Sequence, residues 1–189
     1  MLRWALRRAL VWGLLLLGFA SVAQGSWIFA KAALAQVLLR RAWSLAQAGE
    51  ERARPWPWAD TWPVARLLSP AHGVDLIVLE GATGSSTAFA PGHLQGTALP
   101  GAAGNVVLAA HRDTHFRFLE DLAPGEPLWI ELPGGAAQRY LVDAASVVDE
   151  HDTRLLQAQG DWLTLVTCYP FDAPVPGGPL RYVVRARPT

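Results

Sequence analysis

One cysteine, Cys168, stands alone in 189 residues. A single thiol cannot close an intramolecular disulfide, complete a multi-cysteine zinc or iron-sulfur site, or run redox chemistry through a cysteine pair. Net charge is equally scarce: 16 basic side chains balance 16 acidic ones. No global field exists to gather a nucleic acid or an acidic polymer, so nucleic acid is not an expected partner. Charged residues make up 17% of the chain and apolar ones 51%, part of which is concentrated in one N-terminal block. Internal repeats and long low-complexity tracts are absent as well. A chain of this length has room for one compact domain and a terminal appendage.

The N-terminal block begins after Arg3, Arg7 and Arg8, and no further charge occurs until Lys31. Residues 9–30, rich in Leu, Ala, Val, Trp and Phe, would cover roughly 33 Å as a helix, which matches a hydrocarbon thickness of about 30 Å. The spacing predicts a single-pass transmembrane signal-anchor. Residues 1–8 form its basic, cytoplasmic side by the positive-inside rule, although Lys31, Arg40 and Arg41 reduce the asymmetry. Cleavage after Ala23, following Ser21 and Val22, is the competing reading, and either one exports the rest of the chain. Residues 31–53 continue with Leu34, Leu38 and Leu45 at helical spacing between Gln36, Arg40, Arg41 and Gln47, which predicts an amphipathic helical stalk ended by Gly49 and Glu50 to Arg52.

Residues 54–73 open with RPWPWADTWP, whose three prolines exclude a regular helix and whose three tryptophans are too apolar for a free linker. The expectation is a Trp/Pro-rich strap packed against the domain; an aromatic groove wall or a membrane-interface belt is the alternative. From residue 74 to 189 short β-branched or apolar runs alternate with Gly, Pro and Asp clusters. Strands are predicted at 75–80, 105–110, 127–132, 139–145, 161–168 and 180–186, with a short helix at 116–122 and a turn-rich stretch at 172–179. This mostly-β pattern favours a barrel or sandwich over alternating α/β units.

Cys168 ends the apolar run from Leu163 and is followed two residues later by Pro170, so its side chain is held at a strand end. A thiol with an ordinary pKa of about 8.5 needs a neighbouring cation to act as a nucleophile at neutral pH. His111 ends the run Val106 to Ala110 in the same manner, and Arg181 starts the next run after Cys168. If strands 161–168 and 180–186 pair across the turn, guanidinium and thiol meet at one rim. An inert buried thiol is the alternative for Cys168, although an idle thiol is a liability in an oxidising compartment.

The string TLVTC, with a histidine several strands earlier and an arginine on the following strand, resembles the signature of the sortase family. The phrase HRDTHFRFLEDL and the PWPWADTW strap most resemble the class GN sortases of Gram-negative, marine proteobacterial origin. The resemblance spans roughly residues 54–187. It implies a single eight-stranded β-barrel catalytic domain at 74–189 and a cysteine transpeptidase or endopeptidase in the periplasm, anchored to the inner membrane. Its substrate would be a secreted protein with a C-terminal LPxTG-like sorting motif. The resemblance further implies that Cys168 attacks the Thr-Gly carbonyl and that His111 protonates the leaving amine. Arg181 would stabilise the oxyanion or hold the substrate backbone, and Thr167 would assist the oxyanion through its backbone or hydroxyl. An amine nucleophile or water then resolves the acyl-enzyme. Some members of the family use calcium, but no metal site is legible in this sequence, and neither a metal nor a cofactor is expected.

Other residues carry blander expectations. Asp113 either orients His111 or caps the helix starting near Thr114. His115 lies one helical turn beyond His111 without further ligands to complete a metal site. His72, His93 and His151 are expected to be solvated, and GATGSS at 81–86 lacks the lysine of a phosphate loop and reads as a strand connection. Papain-like enzymes and L,D-transpeptidases fit poorly, because the former place cysteine before histidine and the latter put both in one short segment. A non-catalytic, membrane-tethered β-domain that binds a protein partner is the alternative from another class.

Overall fold

The computed structural model describes residues 2–155, 159–175 and 177–189; Met1 of the basic N-terminus, residues 156–158 of the barrel segment and Pro176 of the turn-rich stretch lie outside the described residues. The chain divides into two units, Met1–Val37 and Leu38–Thr189. Helix α1, Leu2–Gln47, begins in the first and ends in the second. In the first unit Leu10, Trp12, Leu16, Phe19, Trp27 and Phe29 all stand exposed. The helix is long and apolar enough to cross a membrane.

The last turns of α1 behave differently, with Leu39 and Trp43 buried beside Ile77, Leu79 and Ala90. Gly49 stops the helix. Its φ of 95° is a left-handed conformation that glycine adopts without strain, and it allows Gly49 N to reach Ala46 O and Glu50 N to reach Leu45 O, which caps two final carbonyls. In the strap, Trp56 meets Phe89 edge-on at 5.4 Å between centroids and Arg52 lies over Trp62. Trp58 is 82% exposed.

Eight strands follow: β1 Pro63–Ser69, β2 Val74–Glu80, β3 Gly92–His93, β4 Asn105–Ala109, β5 Pro127–Glu131, β6 Ala137–Asp149, β7 Trp162–Tyr169 and β8 Leu180–Pro188. They close into a barrel in the order β1-β2-β3-β4-β7-β8-β6-β5, the eight-stranded architecture that was expected. Two strands have no counterpart among those expected. β1 occupies the second half of the stretch read as strap, where its buried and half-buried residues alternate regularly, and β3 has only two residues and no periodicity to detect. Inward side chains such as Leu67, Val78, Leu108, Leu128, Leu163 and Leu165 are fully buried and form one core. Each such side chain contributes about 1.5–3 kcal/mol relative to exposure.

The connection at 81–86 contains a one-turn helix, α2 Gly84–Thr87. Gly92 is needed where this segment crosses back, because a Cβ there would stand 2.3 Å from Gly81 O. The helix expected at 116–122 is a single 3-10 turn, Arg117–Glu120.

Two of the three histidines expected in solvent are not there. His93 lies on β3 with 2% exposure, its Nδ1 3.2 Å from Glu80 Oε2 and its Nε2 2.9 Å from Ala98 O. Both ring nitrogens find polar partners, which is what permits their burial. His72 is half-buried with Nε2 2.9 Å from Glu126 Oε2. His151 is exposed as expected.

Candidate active site

Strand register assembles the site. β4 and β7 pair in parallel from Asn105↔Trp162 to Ala109↔Val166. Ala110 N continues the pairing to Val166 O at 3.3 Å. Two residues beyond Ala109 and Val166 come His111 and Cys168, on adjacent strand ends and on the same face of the sheet. On the other side β7 and β8 pair antiparallel with Cys168 directly opposite Arg181. The three residues that the sequence singled out therefore share one cleft of about 150 Å³, whose other lining residues are Thr87, Ala109, Ala110, Val166 and Thr167. A larger cleft of about 510 Å³ between Gln47, Arg52, Trp62, Leu99 and Pro133 contains none of them.

Cys168 is a half-buried free thiol and the imidazole of His111 is exposed to solvent. Arg181 is anchored on three sides: Nη1 donates to Gly178 O at 2.7 Å and to Leu180 O at 2.9 Å, and Nη2 pairs with Glu150 Oε2. Glu150 lies just after β6 and was not foreseen, because its partner is distant in sequence. A neighbouring cleft of about 280 Å³ shares Ala109, Val166 and Arg181 and runs over Leu94, Val107, Val148 and Val183, with Asp149, Glu150 and Asp152 along it. It meets the Cys168 cleft at Ala109, Val166 and Arg181 and is lined by both apolar and acidic side chains.

Thr167 is buried, and its one O–H donates to Ala110 O at 2.8 Å. The hydroxyl consequently has no hydrogen left to give a ligand; it fastens the backbone before His111 to β7. Asp113 does not cap the helical turn; its bonds go to Arg112, and His111 acts on it through charge as a lesser influence. Its carboxylate accepts from Arg112 Nε at 2.7 Å and Nη2 at 3.2 Å, and the N-cap position of the 3-10 turn is Phe116. This pairing holds the Asp113 carboxyl below its ordinary range and raises the Arg112 guanidinium further, with the charge of Cys168 a lesser contribution to the latter.

His115 is half-buried. Burial first, and then the charge of His111, lowers its pKa. Among the described residues, no group of three or more His, Cys, Asp or Glu side chains could hold a metal ion. Arg112 and Arg117 were not among the expected site residues, yet their partners are backbone carbonyls after Cys168: Pro170 and Ala173 for the first, Phe171 for the second. Only the placement of Arg112 between His111 and Asp113 hinted at the first, and nothing in the sequence at the second.

Chemically, the cleft offers a thiol, an imidazole and a guanidinium around one point. That set can attack an acyl carbon, deliver a proton to a leaving group and bind a developing oxyanion.

Residues 67–189, more than half the chain, match the sortase domain family. Sortase D of Bacillus subtilis is 33% identical over 120 residues, covering 62% of this chain and 60% of that protein. The structure is similar to sortase A from Corynebacterium diphtheriae, with a TM-score of 0.62 and 31% identity over 70% of this chain and 63% of that one. It is also similar to sortase C-1 from Actinomyces oris, with a TM-score of 0.60 and 29% identity over 67% of this chain and 72% of that one. The chain thus spans less than two thirds of the first two relatives.

Proposed function

The chain belongs to the sortase family, and from that premise we propose that it is a membrane-anchored cysteine transpeptidase acting on exported proteins. One observation carries the reading: the registers that set His111 beside Cys168 and Arg181 opposite it, in a single cleft.

In the proposed cycle the Cys168 thiolate attacks the carbonyl carbon of a peptide bond in a C-terminal sorting motif of the LPxTG kind. The carbonyl oxygen becomes an oxyanion beside the Arg181 guanidinium, whose charge stabilises it more than the ground-state carbonyl. Collapse breaks the C–N bond, and His111 gives its proton to the departing amine. The product is a thioester on Cys168. A second amine, deprotonated by His111, attacks the thioester, expels the thiolate and forms a new amide; water in its place gives hydrolysis. Thr167 serves by holding Ala110, and with it His111, against β7. The groove over Leu94, Val107 and Val148 receives the residues preceding the cleaved bond.

The exposed apolar stretch of α1 is the anchor in this reading. The cluster Arg3, Arg7 and Arg8 sets the N-terminus on the cytoplasmic side, so the barrel faces the periplasm from the inner membrane. The phrases HRDTHFRFLEDL and PWPWADTW support placement in class GN.

The test is turnover of an LPxTG-like peptide panel by the full chain in detergent, with hydroxylamine as acceptor. Formation of peptide hydroxamate that depends on Cys168 and His111 is expected. A folded chain that binds peptides in the cleft without cleaving any would instead identify a binding domain.

A further inference from the structure

We propose that Arg112 is a positioning residue that sets the separation of His111 from Cys168, by tying the segment carrying the imidazole to the loop that leaves the nucleophile strand. The proposal rests on the reading of His111 and Cys168 given above. Both residues lie where the β4–β7 ladder has run out, since Ala109↔Val166 is its last pair. Beyond that point their relative placement depends on other bonds. Before them, Ala110 N reaches Val166 O at 3.3 Å and Thr167 Oγ1 donates to Ala110 O at 2.8 Å. After them, Arg112 Nη1 donates to Pro170 O and Nη2 to Ala173 O at 3.1 Å. The two reacting residues are bracketed on both sides.

The Arg112 side chain is only 2% exposed. A guanidinium is not buried without compensation, and here the compensation is nearly complete. Asp113 accepts from Nε and Nη2 in a two-pronged pair, while the carbonyls of Pro170 and Ala173 take the other face of the fork. Arg117 adds a weaker strut, with Nη1 2.8 Å from Phe171 O and its side chain 54% exposed. A lysine in place of Arg112 would keep the charge but not the fork, and could not reach both carbonyls and Asp113 in fixed directions. Near-attack geometry is sensitive to displacements on the order of 1 Å, so loosening this clamp would lower the rate without removing any reacting group.

Among the described residues, charged and titratable groups on the elements that form the site include His111, Arg112, Asp113 and His115 from the segment after β4, Tyr169 and Asp172 at and after the end of β7, Arg181 and Tyr182 from β8 and Glu150 from the connection after β6. The test therefore compares variants of one group at a time. Iodoacetamide alkylation of Cys168, the sole thiol, is followed against pH in the full chain in detergent for wild type, His111→Ala, Arg112→Lys and Asp113→Asn, with thermal unfolding of each. His111→Ala defines the imidazole's share of the profile. Arg112→Lys is expected to move the profile most of the way to that of His111→Ala, and Asp113→Asn part of the way. Peptide turnover is expected to lose about 10²-fold in kcat in Arg112→Lys, with KM little changed.

A wild-type profile in folded Arg112→Lys overturns the proposal. Should Arg112→Lys not fold, Asp113→Asn decides at about 1 M salt, where the direct effect of the lost charge is screened: a profile coincident with wild type overturns the proposal and a displaced one supports it. Alkylation needs no peptide, so the profiles remain decisive even if no peptide is cleaved. Displaced profiles without turnover would support the clamp and overturn the transpeptidase reading. A wild-type profile already identical to that of His111→Ala would overturn the pairing of His111 with Cys168, and the clamp with it.

Discussion

The two shoulders of the Cys168 cleft each carry an arginine, and the two are held in different ways. On the β4 side Arg112 is buried and bonds Asp113 and backbone carbonyls of the loop after Cys168. On the β8 side Arg181 is partly exposed and is held by two local carbonyls and the ion pair with Glu150. A partly exposed pair of this kind is worth about 0–1 kcal/mol, so a ligand oxygen competes with it readily. The contrast separates scaffold from working group. Arg112 spends its bonds on Asp113 and on backbone carbonyls, whereas Arg181 lines the cleft and can exchange the exposed Glu150 partner for another.

The comparison can be broken most severely from beneath the β4 shoulder. Phe116 is fully buried in the core, stands edge-on to Phe118, and its N–H bonds His111 O at 3.1 Å. Phe116→Ala should cost about 3–5 kcal/mol of stability in urea denaturation, and Phe116→Leu less. On the other shoulder Arg181→Gln should lower peptide turnover about 10²–10³-fold through kcat, with the unfolding midpoint nearly unchanged. If turnover and stability fell together, the distinction between working group and scaffold would fail.

Thr167→Val leaves Ala110 O without its donor and should cost about 1–3 kcal/mol, which Thr167→Ser should restore. Glu150→Gln removes the rim ion pair and should change stability by no more than about 1 kcal/mol, with any effect weakening as salt is added. The smallest effect is one of pH. Asp113 titrates lower in the folded protein than in the unfolded chain because Arg112 bonds its carboxylate. Its contribution to stability is then complete above the ordinary carboxylate value of about 3.9 and is lost as pH falls through the folded value. The melting temperature of wild type should exceed that of Asp113→Asn near neutral pH and converge with it in acid.

Much of the barrel was legible because six strands follow the punctuation of apolar runs by Gly, Pro and Asp, and observed ends fall within a few residues of those expected. β1 was hidden by the Trp/Pro stretch before it, and β3 is too short to have a pattern. Of the candidate site, the three residues could be singled out because two runs end in His111 and Cys168, the next begins with Arg181, and TLVTC resembles a family signature; that β4 lies beside β7 appears only in the barrel topology. The clamp could not be read. Pro170 O and Ala173 O are backbone acceptors whose availability depends on how the loop folds, and no residue type announces them. His93 was misjudged for a related reason: a glycine-rich neighbourhood suggested a loop, while Glu80 and Ala98 supply the partners that let it be buried. α1 teaches the converse lesson. Leu39 and Trp43 find partners in the barrel unit, whereas the run from Leu10 to Phe29 exposes comparable side chains along its length.

The most direct measurement of the central claim is the intact mass of the full chain after mixing with an LPxTG-like peptide and rapid acid quenching, beside Cys168→Ala. The account predicts an added mass equal to the N-terminal peptide fragment in thioester linkage, labile to hydroxylamine and absent from the variant. An adduct that persists in Cys168→Ala, or peptide cleavage that proceeds without Cys168, would contradict it.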